Sequence, residues 1–228
     1  MATLREEVNA APIGGSVRSE ANRGWTLRPA RQDVLVYARW ALFLDVLFIV
    51  VYGTCNWITS QRSDLLHLYF DWELAIPFAP AMVWVYLSLF ALFPLPAFAL
   101  RAPDLRTLGR RLCFATLVSA VFFLLLPARL GFERAATAPE HDLAFGFIYF
   151  LDLPHNLVPS LHISWSGLIL GSLRAVSPRP VRRLLELWLA LICVAVVLVH
   201  QHHILDVIGG LLVGYAAIAL VRQREAAP

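Results

Sequence analysis

The sequence lacks lysine, has only three cysteines and carries few charges of either sign. All 19 basic residues in the 228-residue chain are arginines, so positive charge at any site has to come from arginine. Cys55, Cys113 and Cys193 are isolated within apolar segments, which indicates small buried side chains rather than a disulfide framework or a metal site. With 15% charged residues, the chain is too apolar for an ordinary soluble domain.

The chain contains several long apolar segments. Hydrophobic residues make up 59% of the chain, and several runs approach the roughly 20 residues that cross a bilayer as a helix. We predict an all-α fold, an integral membrane bundle of six transmembrane helices at about 37–59, 78–100, 110–128, 160–176, 184–201 and 204–221.

The predicted membrane domain, 34–222, lies between two polar tails. We expect 1–33 to be a flexible cytosolic tail and 223–228 a short cytosolic tail. The first of these lacks the apolar core that a cleaved signal peptide needs.

Arginine placement predicts the orientation of the bundle. With these six spans, only Arg62, Arg129 and Arg134 fall on one side of the membrane, and the other 16 of the 19 arginines fall on the opposite side. The positive-inside rule makes the arginine-rich side cytoplasmic, so both termini are expected in the cytoplasm. Because topology explains the basic clusters, no nucleic-acid partner is expected.

Two short motifs place ionisable residues at the start of apolar segments. The first is Pro159-Ser160-Leu161-His162, and the second is His202-His203-Ile204-Leu205-Asp206. His202 and Asp206 are four positions apart, so they share one face of a helix. Ionisable side chains inside a membrane are typical of functional sites. The topology puts both motifs on the extracytoplasmic side, which predicts one outward-facing catalytic site.

This pair, Pro-Ser-x-His followed by His-x-x-x-Asp on a six-span scaffold, resembles the type 2 phosphatidic acid phosphatase superfamily. The resemblance covers roughly residues 35–222, and Leu161 in place of the usual glycine resembles the branch of inositol phosphorylceramide and sphingomyelin synthases. The chain departs from the superfamily in two features. The superfamily's first motif begins with lysine, which this chain lacks, and Val196 stands where an arginine usually precedes the histidine. The resemblance implies a lipid phosphatase or, alternatively, a lipid phosphotransferase that moves a phospho-headgroup to an acceptor alcohol.

The residues themselves suit phosphoryl transfer through a phosphohistidine. His202 is the expected nucleophile, and Asp206 is expected to hold its other ring nitrogen. His162 is the expected general acid and then base. We expect no metal or other cofactor, and the expected partners are the lipid bilayer and a lipid phosphate substrate. Three further residues are expected to hold the phosphate: Arg129, Arg134 and Ser160.

Other interpretations of these residues stay open. His200, His202, His203 and Asp206 are ligand types that suit zinc. Arg129 and Arg134 can instead mark the membrane interface, and the chain can be a catalytically inactive scaffold. The oligomeric state is not predicted, and His155 is interpreted as a loop residue.

Three features outside the motifs also carry predictions. Asp45 lies inside the first span, and we expect it to face the bundle interior in a structural pair with Arg39. The aromatic run 145–150 is predicted in an outward loop at the membrane interface, along the route for lipid. Small-xxx-small faces predict close approach of the two histidine-bearing spans: Gly167/Gly171 and Gly210/Gly214.

Overall fold

The computed structural model describes residues 24–133, 139–151 and 155–223. Within these ranges the protein is helical and has no β-strand, only an isolated bridge between Leu66 and Ala128, so the predicted all-α fold is confirmed. The α-helices, in chain order, are α1 (Arg31–Ser60), α2 (Val83–Leu87), α3 (Leu89–Leu92), α4 (Leu95–Ala99), α5 (Ala102–Leu125), α6 (Pro139–Leu151), α7 (Leu161–Ala175), α8 (Arg179–Leu198) and α9 (Ile204–Leu220).

Two described helices are long and apolar enough to cross a membrane, judged by length and composition: α1 with 30 residues and α5 with 24. At 1.5 Å per residue they are about 45 Å and 36 Å long. The helix α8 has 20 residues but begins with an arginine-rich turn, and α7 and α9 have only 15 and 17. These lengths support a membrane protein, whereas the arrangement with six spans stays a prediction.

The predicted span 78–100 is a series of short helices rather than one continuous helix. It consists of a 3₁₀ turn, Pro80–Met82, followed by α2, α3 and α4. Pro80, Pro94 and Pro96 interrupt it because proline has no N–H for the helical hydrogen bond. The Trp188 indole on α8 donates to the Ser88 hydroxyl at 2.8 Å, which fixes the irregular segment against the bundle.

The segment predicted as an outward loop contains the helix α6. Phe145 and Ile148, three positions apart, are buried, whereas Phe147 and Phe150 are exposed. This spacing has the period of a helix with one buried face. The aromatic run therefore packs one side onto the bundle, whereas the sequence predicts a loop here.

One end of the bundle joins the start of α1 to the start of α5. The Asp33 carboxylate accepts a hydrogen bond from the Ala102 N–H at 2.8 Å and pairs with Arg101 at 3.0 Å. The Trp25 indole donates to the Ser177 hydroxyl at 2.9 Å. The described part of the predicted N-terminal tail, 24–33, thus lies against the bundle and includes the start of α1.

The opposite end is closed by three connections: 61–79, 126–133 and 199–203. The Leu66 N–H donates to the Pro127 carbonyl at 2.7 Å, and the Arg129 N–H donates back to the Leu66 carbonyl at 3.0 Å. The Ala79 N–H donates to the Leu198 carbonyl at 2.9 Å. Both histidine motifs lie at this end.

Candidate active site

Close packing between α7 and α9 brings the two histidine motifs together. The Ser160 N–H donates to the Asp206 carbonyl at 2.9 Å. A Cβ on Gly210 would lie 2.6 Å from the Ser160 carbonyl oxygen, so only glycine allows this approach. The predicted small-residue contact is therefore present on α9. On α7 it is absent, because a Cβ on Gly167 or Gly171 would meet no described atom within 4 Å.

His202 is held by Asp206 and lies beside His162. The His202 Nδ1 is 3.1 Å from Asp206 Oδ2, and that oxygen also accepts from the His203 N–H at 2.8 Å. The side chains of His202 and Asp206 are only 2% and 1% exposed. The ring centroids of His162 and His202 are 5.8 Å apart, with the planes inclined by 62°. The three residues expected to carry the chemistry thus meet at one place.

The two ring nitrogens of His202 have different surroundings. Because Asp206 accepts from Nδ1–H, the other nitrogen, Nε2, carries the lone pair. Nε2 is buried and has no hydrogen-bond partner among the described residues. An imidazole oriented by a carboxylate, with its second nitrogen open, is the arrangement that a histidine nucleophile needs.

A cavity of about 390 Å³ adjoins both histidines. Its walls come from α1, α2, α3, α6 and α7, and the Tyr86 ring packs on His162 with centroids 4.7 Å apart. Apart from the two histidines, Asp45 is the one Asp, Glu, Lys or Arg among the described residues that line the cavity. Apolar side chains make up most of the wall: Phe48, Ile49, Leu87, Leu89, Phe90, Phe93, Phe147, Ile148, Leu161 and Trp165.

A buried glutamate, Glu73, joins the connection 61–79 to the start of α9. Its Oε2 accepts from the Ile204 N–H at 2.8 Å and lies 3.3 Å from His203 Nδ1. The Gly131 N–H, in turn, donates to His203 Nε2 at 3.1 Å. His203 is therefore neutral with its proton on Nδ1, and it connects all three segments that close this end of the bundle.

Aromatic stacking reinforces this junction. The His203 ring lies between Tyr69, at a centroid distance of 4.3 Å, and Phe132, at 4.5 Å. Phe132 also stacks on His200 at 3.9 Å, and the His67 ring packs against Tyr69 at 3.8 Å with the planes inclined by 30°. The five rings form a column that we call the ring stack, and it holds the segment before His202 in place.

The residues expected to hold phosphate have different positions. Ser160 is buried and caps α7: its Oγ accepts from the Ile163 N–H at 3.4 Å. Arg129 lies at the same end of the bundle, but its side chain is exposed and does not line the cavity. Arg134 lies outside the described residues. Val196, where the superfamily usually has arginine, is buried, and its carbonyl accepts from the His202 N–H at 3.0 Å.

The histidines next to His202 have partners of their own. His203 uses both ring nitrogens, as described above, and His200 Nε2 lies 3.0 Å from the Ile76 carbonyl. His200 has φ of 56°, a left-handed conformation that turns the chain sharply between α8 and α9. Within the described ranges, no group of three or more histidine, cysteine or acidic side chains is arranged to hold a metal ion.

Sequence reasoning missed three polar residues of the site: Glu73, Tyr86 and Asn156. Asn156 lines the cavity, and its Oδ1 accepts from the Thr59 hydroxyl at 3.1 Å. The sequence holds weak signals for two of them. Glu73 is a carboxylate within the apolar stretch 70–79, and Asn156 is an amide shortly before Pro159. No spacing relates Tyr86 to His162.

Comparisons with family models, with curated proteins and with solved structures each found no match to this chain.

Proposed function

We propose that this protein is an integral membrane lipid phosphatase that hydrolyses the phosphate ester of a lipid through a phosphohistidine at His202. The observation that carries the proposal is the hydrogen bonding of the His202 ring and its position beside His162. Its Nδ1 is held by Asp206, its Nε2 has no partner within the described residues, and His162 lies beside it at the same apolar cavity.

The exposed surface supports an arrangement with six spans. Leu42, Ile49 and Trp57 on α1 are 67%, 69% and 67% exposed, and Leu184 on α8 and Tyr215 on α9 are 64% and 72% exposed. Apolar surface of this extent is characteristic of contact with lipid rather than with water. In our proposal the protein lies in the cell membrane, both termini are cytoplasmic, and the site faces the extracytoplasmic side.

The proposed reaction has two steps. In the first, the Nε2 lone pair of His202 forms a bond to phosphorus while the bond from phosphorus to the lipid oxygen breaks. His162 donates a proton to that oxygen, so the lipid leaves as an alcohol. In the second, His162 takes a proton from water, the water oxygen bonds to phosphorus, and the P–N bond breaks to release inorganic phosphate.

The remaining polar groups supply charge and orientation. Asp206 offsets the positive charge that develops on the His202 ring, as the carboxylate does in a catalytic triad. The incoming phosphate favours protonation of His162, because a nearby negative charge favours the charged form of an imidazole. Arg129 and Arg134 hold the phosphate in this proposal, as guanidinium groups that suit a phosphate dianion.

Trapping of the covalent intermediate tests the proposal. Purified protein in neutral detergent is incubated with lipid phosphates labelled on phosphorus, quenched, and assayed for acid-labile phosphoprotein. We expect label in the wild type and none in His202→Ala, which lacks the nucleophile. His141→Ala, a histidine change on α6 away from the cavity, serves as the matched control and should retain the label. Label in His202→Ala would contradict the assignment.

The same incubation separates hydrolysis from transfer. With an acceptor alcohol present, a phosphatase releases labelled inorganic phosphate, whereas a phosphotransferase moves the label to the acceptor. Absence of both products with every lipid phosphate would favour the inactive scaffold.

A further inference from the structure

Asp45 is a carboxylate in the middle of an apolar helix. It is the fifteenth residue of α1, it is exposed, and no hydrogen bond or ion pair joins it to another described residue. The predicted pair with Arg39 is not formed. Six positions along a helix correspond to about 240° of rotation, which puts these two side chains on different faces.

Two adjoining cavities share this carboxylate. Asp45 lines the cavity beside the histidines and also a second cavity of about 160 Å³. Phe93 and Trp165 line both as well, with ring centroids 5.9 Å apart. Asp45 therefore lies at the junction of a catalytic chamber and a smaller side chamber.

The wall around the junction suits an organic cation. Tyr37 and Trp40 complete an aromatic lining of the smaller cavity together with Phe93 and Trp165. Aromatic faces attract ammonium groups, and the attraction is stronger when the cation has lost its water. An ionised carboxylate in a bilayer is costly unless a counter-charge is present, and no described arginine lines either cavity.

Asp45, His162 and His202 line the same cavity, so one ligand that fills it would contact all three. Trp165 lies one helical turn, about 5 Å, from His162 along α7, and it lines the same cavity as Asp45. A lipid that presents its phosphate to His202 would therefore carry its next few atoms past Trp165 toward Asp45.

We propose that Asp45 binds an ammonium group on the chain side of the phosphate, so that the preferred substrate is a long-chain amino-alcohol phosphate. This inference rests on the proposed function, which leaves the lipid unspecified. The ammonium group pairs with the Asp45 carboxylate beside the rings of Phe93 and Trp165, and the hydrocarbon chain lies along the apolar wall.

Substrate selectivity tests the inference. The ratio of kcat/KM for a long-chain 2-amino-alcohol phosphate to that for an amine-free glycerol-based lipid phosphate of equal chain length is measured. We expect the wild type to favour the amine and Asp45→Asn to lower the ratio at least tenfold. Asp104→Asn, which removes an acidic charge at the other end of the bundle, should keep the wild-type ratio. An unchanged ratio in Asp45→Asn would overturn the inference.

A binding measurement separates this inference from the proposed function. In neutral detergent, a long-chain primary amine should raise the thermal midpoint of the wild type but not of Asp45→Asn, and a long-chain alcohol of equal length should have no such effect. If no lipid phosphate is hydrolysed, the proposed function fails, whereas the amine-dependent shift still decides the Asp45 site. An equal shift in both proteins, or none in either, would reject it.

Discussion

The ring nitrogens of His202 and His203 show how two adjacent identical side chains acquire different roles. One ring nitrogen of His202 lies next to Asp206, and the other has no hydrogen-bond partner among the described residues. In His203 one nitrogen lies near Glu73 and the other accepts from the Gly131 N–H. A ring with both nitrogens in use has no lone pair to offer a substrate. The hydrogen-bond partners therefore favour His202 as the nucleophile and His203 as a structural side chain.

Replacement of His162 should affect the two steps of the proposed reaction differently. We expect His162→Ala to slow turnover of a lipid phosphate by roughly 10²–10⁴, because both the acid and the base are lost. A nitrophenyl phosphate with a good leaving group needs little protonation, so its first step should be spared. Phosphoprotein should then accumulate with this substrate, which acid quenching detects. Equal losses for both substrates with no trapped intermediate would argue against the assigned role.

His203 should make the stability of the protein depend on pH. Burial lowers the pKa of His203 below its ordinary value of 6.5, the carboxylates of Asp206 and Glu73 oppose this shift, and His202 adds to it. The unfolded chain therefore binds the proton more readily than the folded chain, so stability is complete above pH 6.5 and decreases as the pH falls below it. We expect the thermal midpoint to decrease from pH 7 to pH 5.

The matched variant for this prediction is His203→Gln, which cannot titrate. Its thermal midpoint should change less over the same pH range than that of the wild type, even if the variant is less stable at pH 7. An equal pH dependence in both proteins would show that other groups are responsible.

The sequence predicted that His162, His202 and Asp206 lie together, but it did not predict the residues that support them; their chemistry stays a proposal. His162, His202 and Asp206 stand in two recognisable motifs, and the arginine pattern placed both at one end of the bundle. Glu73 is 130 positions from His203, and no local spacing relates them. A contact of this kind depends on how three connections fold over the helix ends, which periodicity does not encode.

At the scale of elements, the contact between α7 and α9 determines the distance between the two histidines. Gly210 allows the Ser160 carbonyl and the Ile163 side chain to approach α9. A Cβ on Gly210 would lie 2.6 Å from the Ser160 carbonyl oxygen and 2.9 Å from the Ile163 Cβ. Because a backbone carbonyl cannot rotate away like the end of a side chain, the helices themselves have to separate if this residue is enlarged.

We therefore expect Gly210→Ala to destabilise the protein by about 1–3 kcal/mol and to lower kcat, since His202 moves away from His162. Gly167→Ala is the matched control, because a Cβ there meets no described atom within 4 Å. It should leave the fold intact or stabilise α7 by roughly 0.5–1 kcal/mol. Thermal midpoints and turnover measure both effects, and an unaffected Gly210→Ala would mean that the contact is not tight.

The elements themselves were predictable to different degrees. The continuous apolar runs of the sequence predict the helices α1 and α5. The helix α5 begins at Ala102 rather than at residue 110, because its first turns are amphipathic and extend beyond the apolar run. Pro80, Pro94 and Pro96 were visible in the sequence, yet hydropathy alone indicated a continuous span at 78–100. The helix α6 was missed because a short apolar run has no clear period until one of its faces is known to be buried.

At the scale of the whole molecule, the described arginines are divided unevenly between the two ends of the bundle. Arg101 and Arg111 lie at the end that contains the starts of α1 and α5, where Arg111 donates to the Val221 carbonyl at 3.1 Å. Among the described arginines, only Arg62 and Arg129 lie at the end that contains the histidines. The fold therefore separates the arginines as the proposed orientation requires.

Cysteine labelling tests this orientation. Asp64→Cys, in an exposed part of the connection 61–79, should react with a membrane-impermeant thiol reagent in intact cells. Arg106→Cys, exposed near the start of α5, should react only after permeabilisation. The native cysteines are buried or half-buried, so the unsubstituted protein provides the background. The reverse pattern would put the histidines on the cytoplasmic side.

The ring stack also has a spectroscopic consequence. Protons held above the face of an aromatic ring are shielded by its ring current, and the His203 imidazole lies between two such faces, those of Tyr69 and Phe132. Its carbon-bound protons should therefore resonate well upfield of those of an ordinary histidine. Since the three rings come from three separate connections, this displaced resonance would report whether the connections remain docked as substrate enters and product leaves.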